Sequence, residues 1–145
     1  MKDKILAIES SCDDTSVAVI DSNGKVHAWE QVSQTKIHHE FGGVVPEVAS
    51  RYHEKALNLL AEKVLSQVPH HEISCVVGTS GPGLVGPLLV GRCFGEGLAR
   101  GLGVGFRGIH HLRGHIASVL LSDDDIQSTK NLQENIYWTD VSSEK

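Results

Sequence analysis

The chain is predicted to fold as an α/β lobe, on three observations. Between residues 5 and 32, short β-branched runs alternate with turn residues. Further on, an apolar residue recurs at every fourth position. A glycine-rich turn then joins a buried-type strand to a second helix. The 145 residues suffice for one core-bearing domain and are too few for two ordinary ones.

Residues 5–10 and 16–21 read as strands, separated by the polar turn Ser11-Cys12-Asp13-Asp14-Thr15. Asn23-Gly24 predicts a type I′ hairpin, because both residues tolerate positive φ, and residues 25–32 follow as a third strand. Together these form an antiparallel meander with a tight acidic loop. Gly42-Gly43 marks a loop and Pro46 a helix start. Val48, Tyr52, Ala56, Leu60 and Val64 make residues 46–67 an amphipathic helix, which Pro69 ends. Residues 73–79 form a buried strand, and Ser80-Gly81-Pro82-Gly83 turns the chain into a helix over residues 84–100.

That second helix is glycine-rich. Gly91, Gly95 and Gly97 each cost about 1 kcal/mol against alanine there, and Gly91 and Gly95 share one face. Two explanations carry equal weight: tight packing inside the domain, or an interface with a helix of another protein. From residue 121 onward glycine and proline vanish. The tail 121–145 holds six acidic and two basic side chains, and is expected to be disordered or a loosely attached helix.

Charge and composition exclude several classes. Net charge is −5, and the tail carries −4 of it, so the body has no basic stripe able to grip nucleic acid unaided. The longest uncharged run, residues 73–91, contains five glycines and two prolines and is rejected as a membrane span. Cys12, Cys75 and Cys93 are odd in number and form no CxxC pair, which fits a reducing compartment. No signal-peptide pattern opens the chain, so a cytoplasmic protein is expected.

Chemistry concentrates in three places. His111 and His115 stand four residues apart, so a helix puts both imidazoles on one face, within reach of one metal ion. Two histidines leave the set short, since zinc or iron wants a further protein ligand and an open position. The glutamate of the zinc-protease pattern His-Glu-x-x-His is missing, which argues against a peptidase. The loop from Glu9 to Thr15 presents hydroxyls and backbone N–H groups suited to a phosphate, although an ordinary polar turn explains the same residues. Its adjacent carboxylates would need a metal to offset their charge. The turn at residues 79–83 suits an anion at a helix start, but no Gly-Lys-Ser/Thr follows and it is not a P-loop.

Taken in order, these segments resemble one known family. Glu9-Ser10-Ser11-Cys12-Asp13-Asp14-Thr15, His38 with Gly42-Gly43-Val44-Val45-Pro46-Glu47-Val48-Ala49-Ser50-Arg51-Tyr52-His53, Ser80-Gly81-Pro82-Gly83-Leu84-Val85-Gly86 and His111-x-x-Gly114-His115 occur as in TsaD/Gcp proteins. These are tRNA adenosine threonylcarbamoyltransferases, once labelled O-sialoglycoprotein endopeptidases. The resemblance covers residues 4–120 and implies an actin/hexokinase-like (ASKHA) N-terminal lobe over residues 1–120, in which a meander and a parallel strand carry packed helices. It further implies transfer of a threonylcarbamoyl group from threonylcarbamoyl-adenylate to the tRNA adenosine beside the anticodon.

By the same resemblance, His111 and His115 are ligands of one divalent metal ion, iron or zinc, with the third ligand outside this chain. Ser11, Cys12 and Asp14 line the donor pocket. The helices at 46–67 and 84–100 pack against a TsaB-like partner, and tRNA binds only in the complete assembly. Family members run to more than twice this length, so the chain is expected to be inactive without the second lobe. The alternatives are a non-catalytic module that pairs with a TsaB-like protein, and a degenerate remnant. Three departures bear on activity: Arg113 stands where the family has Glu beside the metal, Glu96 where it has Lys, and Arg92 where it has an apolar residue.

Overall fold

Strand β1 (Lys4–Glu9) occupies the middle of a five-stranded mixed sheet, flanked by β2 (Asp14–Asp21) and β4 (Ile73–Gly81). In the computed structural model, residues 2–121 are described. The remaining strands are β3 (Val26–Ser33) and β5 (Gly105–His110), and the sheet order is β3-β2-β1-β4-β5. β1, β2 and β3 pair antiparallel, whereas β4 runs parallel to β1 and β5 parallel to β4. The helices are α1 (Thr35–His39), α2 (Pro46–Leu65), α3 (Val85–Leu102) and α4 (His111–Ser118), with one 3-10 turn (His70–Glu72) before β4.

Period-two burial puts Leu6 and Ile8 opposite Val19 and Val17, all four buried on the face covered by helices. α2 packs on β2 and β3, and α3 on β4 and β5. Leu57, Leu60 and Val64 of α2 and Ala99 of α3 close this core. Burying each such leucine or valine stabilises the fold by about 1.5–3 kcal/mol. No helix among the described residues is long and apolar enough to cross a membrane.

The meander forms as expected, but the hairpin joining β2 to β3 does not use a type I′ turn. Gly24 alone has positive φ (+87°), and the loop is a three-residue connection closed by Gly24 N–H to Asp21 O (3.1 Å) and Asp21 N–H to Lys25 O (3.0 Å). The Asp21 carboxylate decides this by accepting from the N–H groups of Asn23 (2.8 Å) and Lys25 (3.1 Å). α2 ends at Leu65 rather than residue 67, while α3 runs on to Leu102 rather than stopping at residue 100. Gly103, at φ +66°, halts α3 with a Schellman ending, in which Gly103 N–H reaches Arg100 O and Val104 N–H reaches Ala99 O. α1 and β5 were not foreseen. The tail expected from residue 121 onward lies, Leu121 apart, outside the described residues.

The glycines of α3 resolve in favour of packing within the lobe. A Cβ on Gly91 would stand 2.0 Å from Ser10 Oγ, and one on Gly95 would stand 2.6 Å from a ring carbon of Phe106. The face shared by Gly91 and Gly95 is therefore buried against the sheet, and the reading of it as an interface with another protein is corrected.

Candidate active site

Because β1, β4 and β5 run parallel, their C-terminal ends share one edge of the sheet, the edge where α/β sheets present ligand-binding residues. Glu9 closes β1, Thr79 lies near the end of β4, and His111 opens α4 directly after β5. Glu9 accepts three hydrogen bonds: Ser11 N–H to Oε1 (2.5 Å), the Thr79 hydroxyl to Oε2, and His111 Nδ1 to Oε2 (3.2 Å). Burial alone would raise its carboxyl pKa. The bonds from Ser11, Thr79 and His111 outweigh that and hold it below the usual carboxylate range.

A carboxylate only accepts, so the proton of His111 sits on Nδ1 and its Nε2 lone pair faces away from Glu9. There it meets His115 Nε2 at 3.0 Å, the ring centroids being 4.5 Å apart and the planes perpendicular. The helical spacing thus does bring the two predicted ligands together. Two nitrogens about 2.0–2.1 Å from one tetrahedral zinc stand about 3.3 Å apart, a few tenths of an ångström more than the separation seen here. A carboxylate behind the first imidazole is the support that metal-bound histidines use. The residues fit two ligand positions of a metal ion. Among the described residues no group of three or more His, Cys, Asp or Glu is placed to complete such a site.

Of the three residues expected to line the donor pocket, Ser11 joins this cluster, its Oγ 3.3 Å from His111 Nδ1. Cys12 and Asp14 make no hydrogen bond to either histidine. Cys12 is largely exposed, and its thiol pKa is pushed up by partial desolvation, then by the side chain and charge of Asp13 and the charges of Asp14 and Glu9. A protonated thiol is a poor nucleophile. Asp14 Oδ1 is buried and, among the described residues, has no hydrogen-bond partner. It is an acceptor still to be satisfied, beside the loop expected to take the donor. Gly83 permits the turn before α3 to lie on this loop, since a Cβ there would stand 2.6 Å from Ser11 O.

Sequence reasoning gave Glu9 and Thr79 no role of their own. Both fall in polar stretches of the sequence, and nothing local marks a carboxylate whose partners stand 70 and 102 residues away.

A family model described as "TsaD: tRNA N6-adenosine threonylcarbamoyltransferase" matches residues 25–130. The chain belongs to this TsaD family. Curated relatives named tRNA N6-adenosine threonylcarbamoyltransferase include one from Desulforapulum autotrophicum, 45% identical over 122 residues, covering 83% of this chain and 37% of the relative. One from Thermus thermophilus is 47% identical over 116 residues, covering 79% and 36%. The chain thus spans little more than a third of the length of these relatives. Among solved structures, YeaZ from Pseudomonas aeruginosa superposes with a TM-score of 0.57 at 16% identity, over 74% of this chain and 44% of YeaZ. That likeness is one of fold, and the actin/hexokinase-like lobe expected from the sequence is the one observed.

Arg92 and Glu96, expected from the resemblance to depart from the family pattern, pair with each other: Arg92 Nε donates to Glu96 Oε1 at 2.8 Å on the exposed side of α3. With Arg100, Thr79 and Phe106 they line a cavity of about 470 Å³. A second, mostly apolar groove of about 360 Å³ runs between α2 and α3, lined by Leu57, Leu89, Val90, Cys93 and Phe94 among others.

Proposed function

We propose that residues 1–120 are the N-terminal lobe of a tRNA threonylcarbamoyladenosine transferase, moving a threonylcarbamoyl group from threonylcarbamoyl-adenylate to tRNA adenosine. The single observation that carries this is the line Glu9–His111–His115 at the C-terminal edge of the parallel strands, with the Ser11 hydroxyl beside it. His111 and His115 hold one divalent ion, iron or zinc, and the third protein ligand comes from outside the described residues. Such an ion, when bound, supplies Lewis-acid polarisation of the donor.

The chain's own side chains do the rest of the positioning. Glu9 keeps the His111 proton on Nδ1 and the ring aimed at His115. Ser11, Cys12 and Asp14 line the donor pocket, where the unsatisfied Asp14 Oδ1 accepts a hydrogen bond from the donor's N–H or hydroxyl groups. The adenosine amino group attacks the carbamoyl carbonyl and adenylate leaves. The apolar groove between α2 and α3, with Val85 82% and Leu89 58% exposed nearby, is the surface for a TsaB-like partner. The setting is cytoplasmic, in keeping with a tRNA substrate.

The test is transfer of labelled threonylcarbamoyl to tRNA. The purified 145-residue chain gives none. The chain assembled with a TsaB-like protein and a separately supplied second lobe gives transfer, which His111→Ala and His115→Ala abolish. Turnover by the isolated chain, or an assembly indifferent to both substitutions, overturns the proposal. Arg113, exposed between the two histidines, favours a second reading in which the lobe only binds its partner. A stable heterodimer that takes up no metal is the result that reading requires.

A further inference from the structure

The run from His38 to His53 carries much of the family resemblance, yet its two buried histidines, His38 and His53, take no part in the Glu9–His111–His115 line. Both are buried, at 3% and 0% exposure, one in α1 and one in α2. A buried imidazole carries two nitrogens that need partners. Those of His53 find them on the back of the acidic loop: Nε2 lies 2.9 Å from Cys12 O, and Nδ1 2.7 Å from Thr15 Oγ1.

The chemistry of these partners assigns the proton. A carbonyl oxygen only accepts, so His53 donates from Nε2, and Nδ1 accepts from the Thr15 hydroxyl. His38 is set in the same way. Its Nε2 donates to Gln34 Oε1 at 3.0 Å, while its Nδ1 accepts from Val45 N–H at 3.3 Å. The Gln34 amide is oriented by its own donation to Ala49 O. Gln34 backbone N–H in turn holds Asp13 O at 2.9 Å, and Leu84 N–H holds Ser11 O at 2.8 Å.

Three successive carbonyls, those of Ser11, Cys12 and Asp13, are therefore anchored in the body of the lobe. Backbone amides hold the outer two. The middle one depends on a single side chain, His53. We propose that His53 is a positioning residue, which fixes the conformation of the Ser11–Asp14 loop through its Nε2–H bond to Cys12, with His38 supporting the next anchor through Gln34. That the loop receives the carbamoyl donor rests on the function proposed above; the brace itself does not.

Amide exchange of the 145-residue chain, followed by NMR, tests this without reading any activity. The amides of Gln34 and Leu84 report the two flanking anchors, and that of Val19 in the core is the reference. In His53→Gln the side-chain amide nitrogen stands close to Nε2 and still donates to Cys12. In His53→Asn the side chain is too short to do so. Exchange at Gln34 and Leu84, relative to Val19, is expected to rise about tenfold in His53→Asn, the factor that loss of one buried hydrogen bond implies. In His53→Gln it is expected to stay within about threefold of wild type. No rise in His53→Asn, or an equal rise in both variants, overturns the brace. Should His53→Asn fail to fold, the wild-type chain decides: imidazole nitrogen shifts must show His53 protonated on Nε2, and a proton on Nδ1 overturns the assignment.

Discussion

Glu9 Oε2 stands 3.2 Å from His111 Nδ1, although 102 residues separate the two in the chain. This contact turns the Nε2 lone pair of His111 toward His115. Glu9→Gln keeps the shape but loses the charge and one acceptor oxygen, while Ser11 N–H and Thr79 still compete for what remains. Divalent-metal affinity should fall about 10–100-fold, the usual cost of removing such support. Competition with a zinc chelator measures it, and an unchanged affinity would remove Glu9 from the site.

Arg113 acts on the same ion through space. It is exposed on α4 between the two histidines, and a cation there opposes a divalent charge. Arg113→Glu should raise metal affinity about fivefold at low ionic strength, with the gain shrinking as salt screens it. A gain that does not respond to salt would point to a rearranged helix instead.

The α3 glycines separate packing from propensity. Gly91→Ala forces a methyl against Ser10 Oγ and should cost about 1–3 kcal/mol in urea unfolding. Gly97 has nothing within 4 Å of the site a Cβ would take. Gly97→Ala should therefore stabilise the chain by up to about 1 kcal/mol. Equal effects at both positions would contradict the observed seat of α3 on β1.

Burial is the chief cause that holds the His53 imidazole pKa below its usual range, and it prevails over the hydrogen bond to Cys12 and the charges of Glu9, Asp13 and Asp14, which act in the opposite sense. The folded state thus keeps His53 neutral, while the unfolded chain takes up a proton near pH ~6.5. Below that pH the unfolded state binds more protons, so stability falls as pH drops through about 6.5 toward the depressed folded value. His53→Gln removes this proton, so its urea midpoint should depend less on pH between about 7.5 and 5 than that of wild type. Parallel profiles for the two proteins would show that His53 does not titrate in this window.

Much of the fold was legible because burial repeats locally. Val48, Ala56, Leu60 and Val64 announced α2 by their spacing, and Pro46 marked its start. β5 was missed because Gly105 and Gly108 dilute its strand pattern. Gly108 is nonetheless accommodated there, a Cβ at that position meeting Ser80 Cβ at 2.9 Å. The type I′ turn was misjudged because Asn23-Gly24 speaks for the backbone alone, whereas the Asp21 carboxylate chose the turn.

The sequence by itself determined strands β1 to β4, helices α2 and α3, the pairing of His111 with His115 on one helical face, and the motifs that marked the family. Each depends on residues a few positions apart, where periodicity and turn chemistry are written directly. Only the tertiary structure decided that Glu9, Thr79 and His111 share one carboxylate, that His53 holds Cys12, and that Gly91 faces Ser10 rather than another protein. The first contact follows from the strand order β3-β2-β1-β4-β5, which brings the ends of β1, β4 and β5 to one edge, and the other two from α2 and α3 packing on the sheet. A hydrogen bond made across such a distance leaves no periodic trace in the chain, because it constrains two positions and none of those between them.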